Sequence, residues 1–336
     1  MKRLNKHLFM MIAFTGLFLV GCNQEVDNVA PAQEDNIYEA LSSFDEEIKY
    51  FGYPEFENPG ENERRGRGKG MWMSKRPTFK TLTVALAKTK LISTVVRANI
   101  TVFAPTDEAF AKLGLNPTNI GDVPNLKDIL LYHVIGGKVY SSDLTYGCFP
   151  TLSGEEVRVD LTEGVFINDA QVIKADVKAF NGVFHIIDNV IFPPDKNIVE
   201  LAMSNPDFSI LVDAVTRVGL DGALSGEDNL TVFAPTNAAF LDLLGELGYG
   251  SLDEIDDETL TAVLLYHVVG GKICSNELTD EQMVPTLNGD SFTVDLDNLT
   301  LTDVNGRESN LVLPQLNLQA TNGVVHVIDR VILPTL

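Results

Sequence analysis

The sequence predicts an α+β fold built twice in tandem. Three observations carry this. Blocks of residues recur in the same order at a long period. Within each copy, helical periodicity comes first and strand-like alternation later. And 336 residues with 45% hydrophobic content suffice for two domains with their own cores.

The repeat is anchored by Asn99-Ile-Thr-Val-Phe-Ala-Pro-Thr-Asp-Glu-Ala-Phe110, which returns as Asn229-Leu-Thr-Val-Phe-Ala-Pro-Thr-Asn-Ala-Ala-Phe240. Leu131-Tyr-His-Val-Ile-Gly-Gly-Lys138 returns as Leu265-Tyr-His-Val-Val-Gly-Gly-Lys272. Asn181-Gly-Val-Phe-His-Ile-Ile-Asp188 returns as Asn322-Gly-Val-Val-His-Val-Ile-Asp329, and each runs on to a proline, Pro193 or Pro334. A smaller block, Pro150-Thr-Leu-Ser-Gly154, returns as Pro285-Thr-Leu-Asn-Gly289. The offset between copies grows from 130 to 134 to 141 residues, so the second copy has gained residues between blocks. A period this long is a tandem domain, not a solenoid repeat.

Each copy opens with helix. Phe79, Leu82 and Leu86 share one face, as do Phe208, Leu211 and Val215. The second copy has an earlier turn, Ile198–Met203, where the first has only Gly70-Met-Trp-Met73. The opening helix of the first copy is therefore expected to be shortened or irregular. The run Thr-Val-Phe reads as a strand. Pro105 and Pro235 then force a sharp corner, and Thr106 and Thr236 are placed to cap the helices over 106–113 and 236–247. After the helix that carries Tyr-His, strands are expected at 134–140, 155–161, 164–168, 171–179 and 183–191. In the second copy they are expected at 268–273, 291–296, 299–303, 311–320 and 324–332.

The N-terminus reads as a leader over 1–21. Lys2, Arg3 and Lys6 precede an apolar run, and Leu19-Val20-Gly21-Cys22 resembles a lipoprotein processing box with Cys22 as the lipidated residue. Residues 22–74 read as a tether, with a short amphipathic helix possible around Ile37, Leu41, Phe44 and Ile48. The tether holds the chain's one basic cluster, Arg64-Arg-Gly-Arg-Gly-Lys-Gly70. Three glycines make this a solvated linker before a docking site for an anionic polymer or for the protein's own acidic domains. The domains are expected at 75–194 and 196–336.

The formal charge of −22 disfavours nucleic acid and anionic membrane surfaces as partners. Cys148 and Cys274 do not match under the repeat alignment, where Cys274 faces Tyr140. Free, partly buried thiols are the expected state.

The repeated blocks together resemble the fasciclin-type adhesion domain family, over roughly 75–194 and 196–336. The resemblance implies a β-sheet wedge with helices packed along it, and adhesion as the activity. It implies adhesive roles for the Tyr-His pairs Tyr132, His133, Tyr266 and His267. It also implies one for an acidic pair before the last block, here Asp176-Val177, whose second-copy counterpart Asn317-Leu318 lacks the acid. The residues themselves read more plainly. His133 follows Leu126, Ile129 and Leu130 on one helix face, and His267 follows Leu260, Val263 and Leu264, so both are expected to be buried and structural. Tyr132 and Tyr266 should point elsewhere and be partly exposed. His185 and His326 lie in strands apolar on both faces and read as core residues.

There is no Gly-x-Ser-x-Gly elbow, no His-Glu-x-x-His and no Walker-type loop. No Cys or His pair has zinc-ligand spacing, and Asp295–Asn298 lacks a calcium-loop frame. The expectation is a lipid-anchored binding protein of a Gram-negative outer membrane, with no catalysis, cofactor or metal. Its partner would be a matrix protein, a polysaccharide or a neighbouring cell. A periplasm-facing scaffold or a carrier of an apolar ligand is the alternative, and an unrecognised hydrolase is the rival from another class.

Overall fold

The computed structural model describes residues 35–45 and 77–335. The leader, Cys22 and the basic cluster lie outside the described residues. In the first domain the helices are α1 (Ile37–Ser43), α2 (Lys80–Lys88), α3 (Ile92–Arg97), α4 (Asp107–Lys112) and α5 (Leu126–Tyr132). Its strands are β1 (Ile100–Pro105), β2 (Val134–Gly136), β3 (Gly147–Pro150), β4 (Glu156–Asp160), β5 (Phe166–Ile167), β6 (Ala170–Ala179) and β7 (Gly182–Ile187). The second domain holds α6 (Ile198–Met203), α7 (Ser209–Arg217), α8 (Asp221–Leu224), α9 (Asn237–Leu247) and α10 (Asp257–Tyr266). Its strands are β8 (Leu230–Pro235), β9 (Val268–Gly270), β10 (Met283–Pro285), β11 (Ser291–Asp295), β12 (Thr300–Thr302), β13 (Glu308–Asn310), β14 (Leu318–Ala320) and β15 (Gly323–Ile328). The fold is α+β.

The first domain forms one sheet in the order β2-β1-β7-β6-β5-β4-β3. The second domain has the same strand neighbours but divides into β10-β11-β12-β13 and β14-β15-β8-β9. The difference traces to one strand. β6 runs for ten residues and joins both halves, with register shifts between Val172 and Val177. Its counterpart in the second domain is split between β13 and β14, so the strand expected over 311–320 forms only at Leu318–Ala320. Pro314 has no N–H and cannot donate to a ladder. This is where the offset between copies grows to 141.

β1 and β7 pair in parallel at the centre of the sheet, and every residue of both is buried. They separate two cores. Val102, Ala104, Phe184 and Ile186 face the helices. Phe103 and Ile187 face the strand half. β8 and β15 do the same in the second domain. Parallel strands covered on both faces read as continuous apolar runs, which is why these two blocks survive almost unchanged between the copies. Gly182 and Gly323 pass so close to the carbonyls of Ile100 and Leu230 that a Cβ would collide with them.

Two expectations are corrected. The first concerns the opening helix. The first domain has a complete one, and it comes from α1, inside the stretch read as tether. Asn36 and Asn197 cap α1 and α6 with the same capping box, closed by Glu39 and Glu200. Ile37 N–H donates to Asn181 Oδ1 at 3.0 Å, and Ile198 N–H donates to Asn322 Oδ1 at 2.9 Å. Ile37 and Leu41 are fully buried in the first core. The two described stretches of chain meet beside α1, where Phe79 N–H donates to Asp45 Oδ1 at 2.7 Å. The long insertion between α1 and α2 hid the match.

The second correction concerns the cysteines, which are not free thiols. Cys148 and Cys274 form a disulfide across 126 residues, joining β3 of the first domain to the loop after β9 of the second. Repeat alignment tests only for bridges that both copies share, and this bridge joins the copies. Asn276 sits against Gly147, its Oδ1 accepting from Cys148 N–H and its Nδ2 donating to Cys148 O, each at 3.1 Å. Tyr146 packs into the second domain's strand core, and Lys272 reaches Glu156 at 3.2 Å. Arg158 donates to the Pro314 carbonyl. The two domains are one covalently closed unit.

Two outcomes are expected. Leu41→Ala should destabilise the first domain by about 2–4 kcal/mol, the usual cost of emptying a fully buried leucine site, read as a lowered urea midpoint. An unchanged midpoint would remove α1 from the fold. Thiol reagent added to the unfolded, unreduced chain should leave Cys148 and Cys274 unlabelled, with a linked peptide pair in a non-reducing digest. The closed loop of this length constrains the unfolded chain by about 4–5 kcal/mol in the loop-entropy account, so the double serine variant should unfold at lower urea.

Candidate functional site

The repeated motifs converge on the histidine that ends α5 or α10. His133 Nδ1 lies 2.7 Å from Ile129 O, and its Nε2 lies 3.1 Å from Ile191 N. The peptide N–H of Ile191 must donate, so Nε2 accepts and Nδ1 carries the proton. His267 repeats this with Val263 O at 2.7 Å and Ile332 N at 3.2 Å. The histidine's own carbonyl accepts from the central strand, from Phe103 N–H at 2.8 Å or Phe233 N–H at 2.9 Å. One residue thus ties the Tyr-His helix, the Thr-Val-Phe strand and the terminal block together. His133 and His267 are 1% and 2% exposed. Burial pushes both imidazoles down to about 4, against a helix carbonyl that pulls the other way. They are neutral at pH 7.

Tyr132 and Tyr266 are not partly exposed, as their position on the helix suggested. Both are fully buried. Each closes the last turn of its helix and turns into the strand half, where Tyr132 joins Phe103 and Val157, and Tyr266 joins Phe233 and Phe292. The hydroxyls donate to Glu156 O and Ser291 O, each at 2.9 Å. They also accept, from Asn168 Nδ2 at 3.0 Å and from Val304 N–H at 3.3 Å. Desolvation pushes both phenols up to about 12.

The second pair of histidines lies in β7 and β15. His185 Nε2 is 3.0 Å from Val139 O, and its Nδ1 accepts from Asp176 N–H at 3.3 Å. His326 bonds likewise to Ile273 O at 2.9 Å and to Asn317 N–H at 3.3 Å. Each ring stacks on the phenylalanine of the neighbouring strand, Phe103 or Phe233. Burial lowers the His185 pKa and takes His326 down to about 4. Thr106 Oγ1 and Thr236 Oγ1 accept from Ala109 N–H and Ala239 N–H, capping α4 and α9.

Asp176 and Asn317 occupy the same bend with the same left-handed backbone (φ 59° and 57°). Asp176 Oδ1 accepts from Ser141 N–H at 2.7 Å, and Oδ2 from Ser141 Oγ at 2.6 Å. Asn317 Oδ1 accepts from Ser275 N–H at 2.7 Å, and Nδ2 donates to Ser275 Oγ at 2.7 Å. Partial burial disfavours the Asp176 carboxylate, but the two bonds from Ser141 outweigh it and hold its pKa below the ordinary value. Acid and amide do one job here, pinning the loop that follows the edge strand. Val177 is half-buried against the helical core of its domain.

The histidines and tyrosines therefore come together in the interior of each domain, while Asp176 stays part-exposed. Sequence patterning missed Asn181 and Asn322. Their Nδ2 groups donate to Val95 O and Ala98 O, and to Leu224 O and Gly226 O, and so join the opening helix to the chain before the central strand. Their recurrence was visible; their partners, more than eighty residues away, were not. Among the described residues one group has metal-like spacing, Cys148, Glu156 and Cys274. Its sulfurs are joined to each other and offer no thiolate.

Residues 77–193 and 206–334 each match the family described as "Fasciclin domain". The chain belongs to the fasciclin-domain family. Both matches begin after the opening helix. Transforming growth factor-beta-induced protein ig-h3 of Sus scrofa is 31% identical over 248 residues, covering 70% of this chain and 35% of that protein. Periostin of Homo sapiens is 28% identical over 250 residues, covering 71% and 29%. The protein sll1735 of Synechocystis is 41% identical over 117 residues, covering 34% and 88%. The chain spans about a third of the length of the animal relatives. A fasciclin domain pair from the insect cell adhesion molecule fasciclin I aligns at 20% identity and TM-score 0.38, covering 76% of this chain and 96% of that one.

The histidines of these fasciclin domains set an acid limit. Each buried ring has a pKa near 4 when folded and about 6.5 when unfolded. Between those values the unfolded chain binds more protons, so stability falls as pH drops from about 6.5 towards 4 and loses nothing further through these rings below 4. At pH 5 each of the three should cost on the order of 2 kcal/mol. Urea titrations at neutral pH and pH 5 should show a marked fall in midpoint. His267→Ala should lower the neutral midpoint and flatten the pH dependence; an unchanged curve would refute its buried role.

Proposed function

We propose that this protein is an envelope adhesin: a membrane-anchored, non-enzymatic binding protein that uses its two fasciclin domains to hold a matrix protein, a polysaccharide or a neighbouring cell. Cys22 is the proposed lipid attachment point. One observation carries the reading. The histidines, the tyrosines Tyr132 and Tyr266, and the pair Asp176 and Asn317 all make their side-chain hydrogen bonds inside their own domain. His133, His185, His267 and His326 use both ring nitrogens on the backbone. A general base needs a free nitrogen within reach of a substrate, and these have none. What the motifs build is a rigid scaffold, and the disulfide extends that rigidity across both domains. A fixed double domain loses little conformational freedom when it binds, which suits recognition over a broad surface.

The carrier reading is disfavoured by cavity size. The apolar space between α6, α7 and the central strands is about 40 Å³, lined by Ile198, Phe208, Leu211 and Val325. Sites for small molecules are roughly 300–1,000 Å³.

The test uses cells that produce the full chain and cells that lack it. An antibody to the second domain should label intact cells, and loss of the protein should reduce attachment to protein- or polysaccharide-coated surfaces. Labelling only after the outer membrane is breached, with attachment unchanged, would overturn adhesion and point to a periplasm-facing scaffold.

A further inference from the structure

The four residues that the second copy gains between its first two blocks lie in the stretch that forms a cleft. α9 runs for eleven residues where α4 has six, and α10 for ten where α5 has seven. Between α9 and α10 lies a space of about 190 Å³, walled by Leu243, Leu247, Tyr249 and Ile255, with Glu254 and Asp256 also on its wall. Leu247 and Tyr249 are 48% and 40% exposed at its mouth. Isolated exposed apolar residues are ordinary, but two at the mouth of an apolar cleft leave a surface that a partner can cover.

The rim is strongly acidic. Residues 242–258 contain Asp242, Glu246, Asp253, Glu254, Asp256, Asp257 and Glu258, and no lysine or arginine. Glu246 is held by Arg307 and Arg330, and Asp257 by Arg217. Asp256 caps α10, and Glu254 accepts from Gly250 N–H. Asp242, Asp253 and Glu258 are exposed and make no ion pair among the described residues. An apolar cleft with this rim selects an occupant that carries positive charge on both sides of a large apolar side chain.

The sequence contains one such segment. Arg64, Arg65, Arg67, Lys69, Lys75 and Arg76 surround Met71-Trp72-Met73, with no acid between 64 and 76. The segment lies outside the described residues, but its end is fixed: Arg76 adjoins Pro77, and Phe79 is bonded to Asp45 in the first domain. Trp72 lies five residues before Pro77, which joins the basic segment to the first domain, whereas the cleft belongs to the second.

We propose that the α9–α10 cleft receives the Arg64–Arg76 segment of a second copy of this chain, with Trp72 in the apolar space and the flanking cations on the acidic rim. The contact is head to tail, since donor and acceptor surfaces lie on different domains. Such contacts do not close by themselves, and they link copies into rows. The inference deepens the adhesion reading by naming a partner, and it rests on that reading only for its biological setting. Association in solution is measured without cells, so its failure is distinct from a failure of adhesion.

The experiment is a charge swap in the purified full chain. Sedimentation at rising concentration in low salt should show self-association, and the association constant should fall at least about tenfold at high salt. Emission of Trp72, the chain's one tryptophan, should move to shorter wavelength as copies associate. One variant carries Asp253→Lys and Glu258→Lys; another carries Arg64→Glu, Arg65→Glu and Arg67→Glu. Each alone should stay monomeric, with a native circular dichroism spectrum. Mixed, they should associate again, because each retains the half that the other lost. A monomeric native chain at every concentration overturns the proposal. So does association that survives either charge reversal, or association that leaves Trp72 emission unmoved.

Discussion

Two hydrogen bonds to one imidazole hold each domain together. His133 sits where a helix ends, a central strand passes and the terminal block turns away, and it bonds to all three. An imidazole suits this place because its neutral form offers one donor and one acceptor on opposite sides of a flat ring. Nδ1–H donates to the helix carbonyl of Ile129, and Nε2 accepts from the amide of Ile191. Any apolar substitute would leave a buried carbonyl and a buried amide without partners, at about 1–3 kcal/mol each. Adhesion lost on changing this residue would therefore report on folding before it reported on recognition.

The same logic covers Asp176. A carboxylate near the surface invites a functional reading, and here it is 36% exposed at the side chain. Yet Asn317 makes the same bonds to Ser275 that Asp176 makes to Ser141, from the same left-handed backbone. The amide substitutes because the job needs an acceptor at one position and any hydrogen-bonding atom at the other. Charge is incidental to the geometry.

Much of this was legible in the sequence. Apolar periodicity placed the buried faces of the helices that end in His133 and His267, and the two-sided apolar character of the terminal block placed β7 and β15 at the centre of the sheet. What stayed hidden depends on distance along the chain. α1 was visible as an amphipathic stretch, but nothing local says that Ile37 bonds to Asn181, 144 residues away. The disulfide was hidden by symmetry, since comparing copies reveals only what the copies share. The tyrosines misled for a geometric reason. They lie off the face that packs on the helical core, but each helix ends against the strand half, so a second side of its last turn is buried too.

The position of α1 has a mechanical consequence. α1 is the first described element of the first domain, and Phe79 is held beside its end by Asp45. Tension arriving from the N-terminal side meets α1 before any other element of either domain. While α1 stays seated, the load passes through its buried face into the sheet and bypasses the intervening segment. Once α1 is pulled free, the next hold in the line of force is Phe79, 34 residues along from Asp45. The central strands and the disulfide remain behind it, still intact. α1 thus gives the molecule a fuse, a small part that yields before the rest must yield at all.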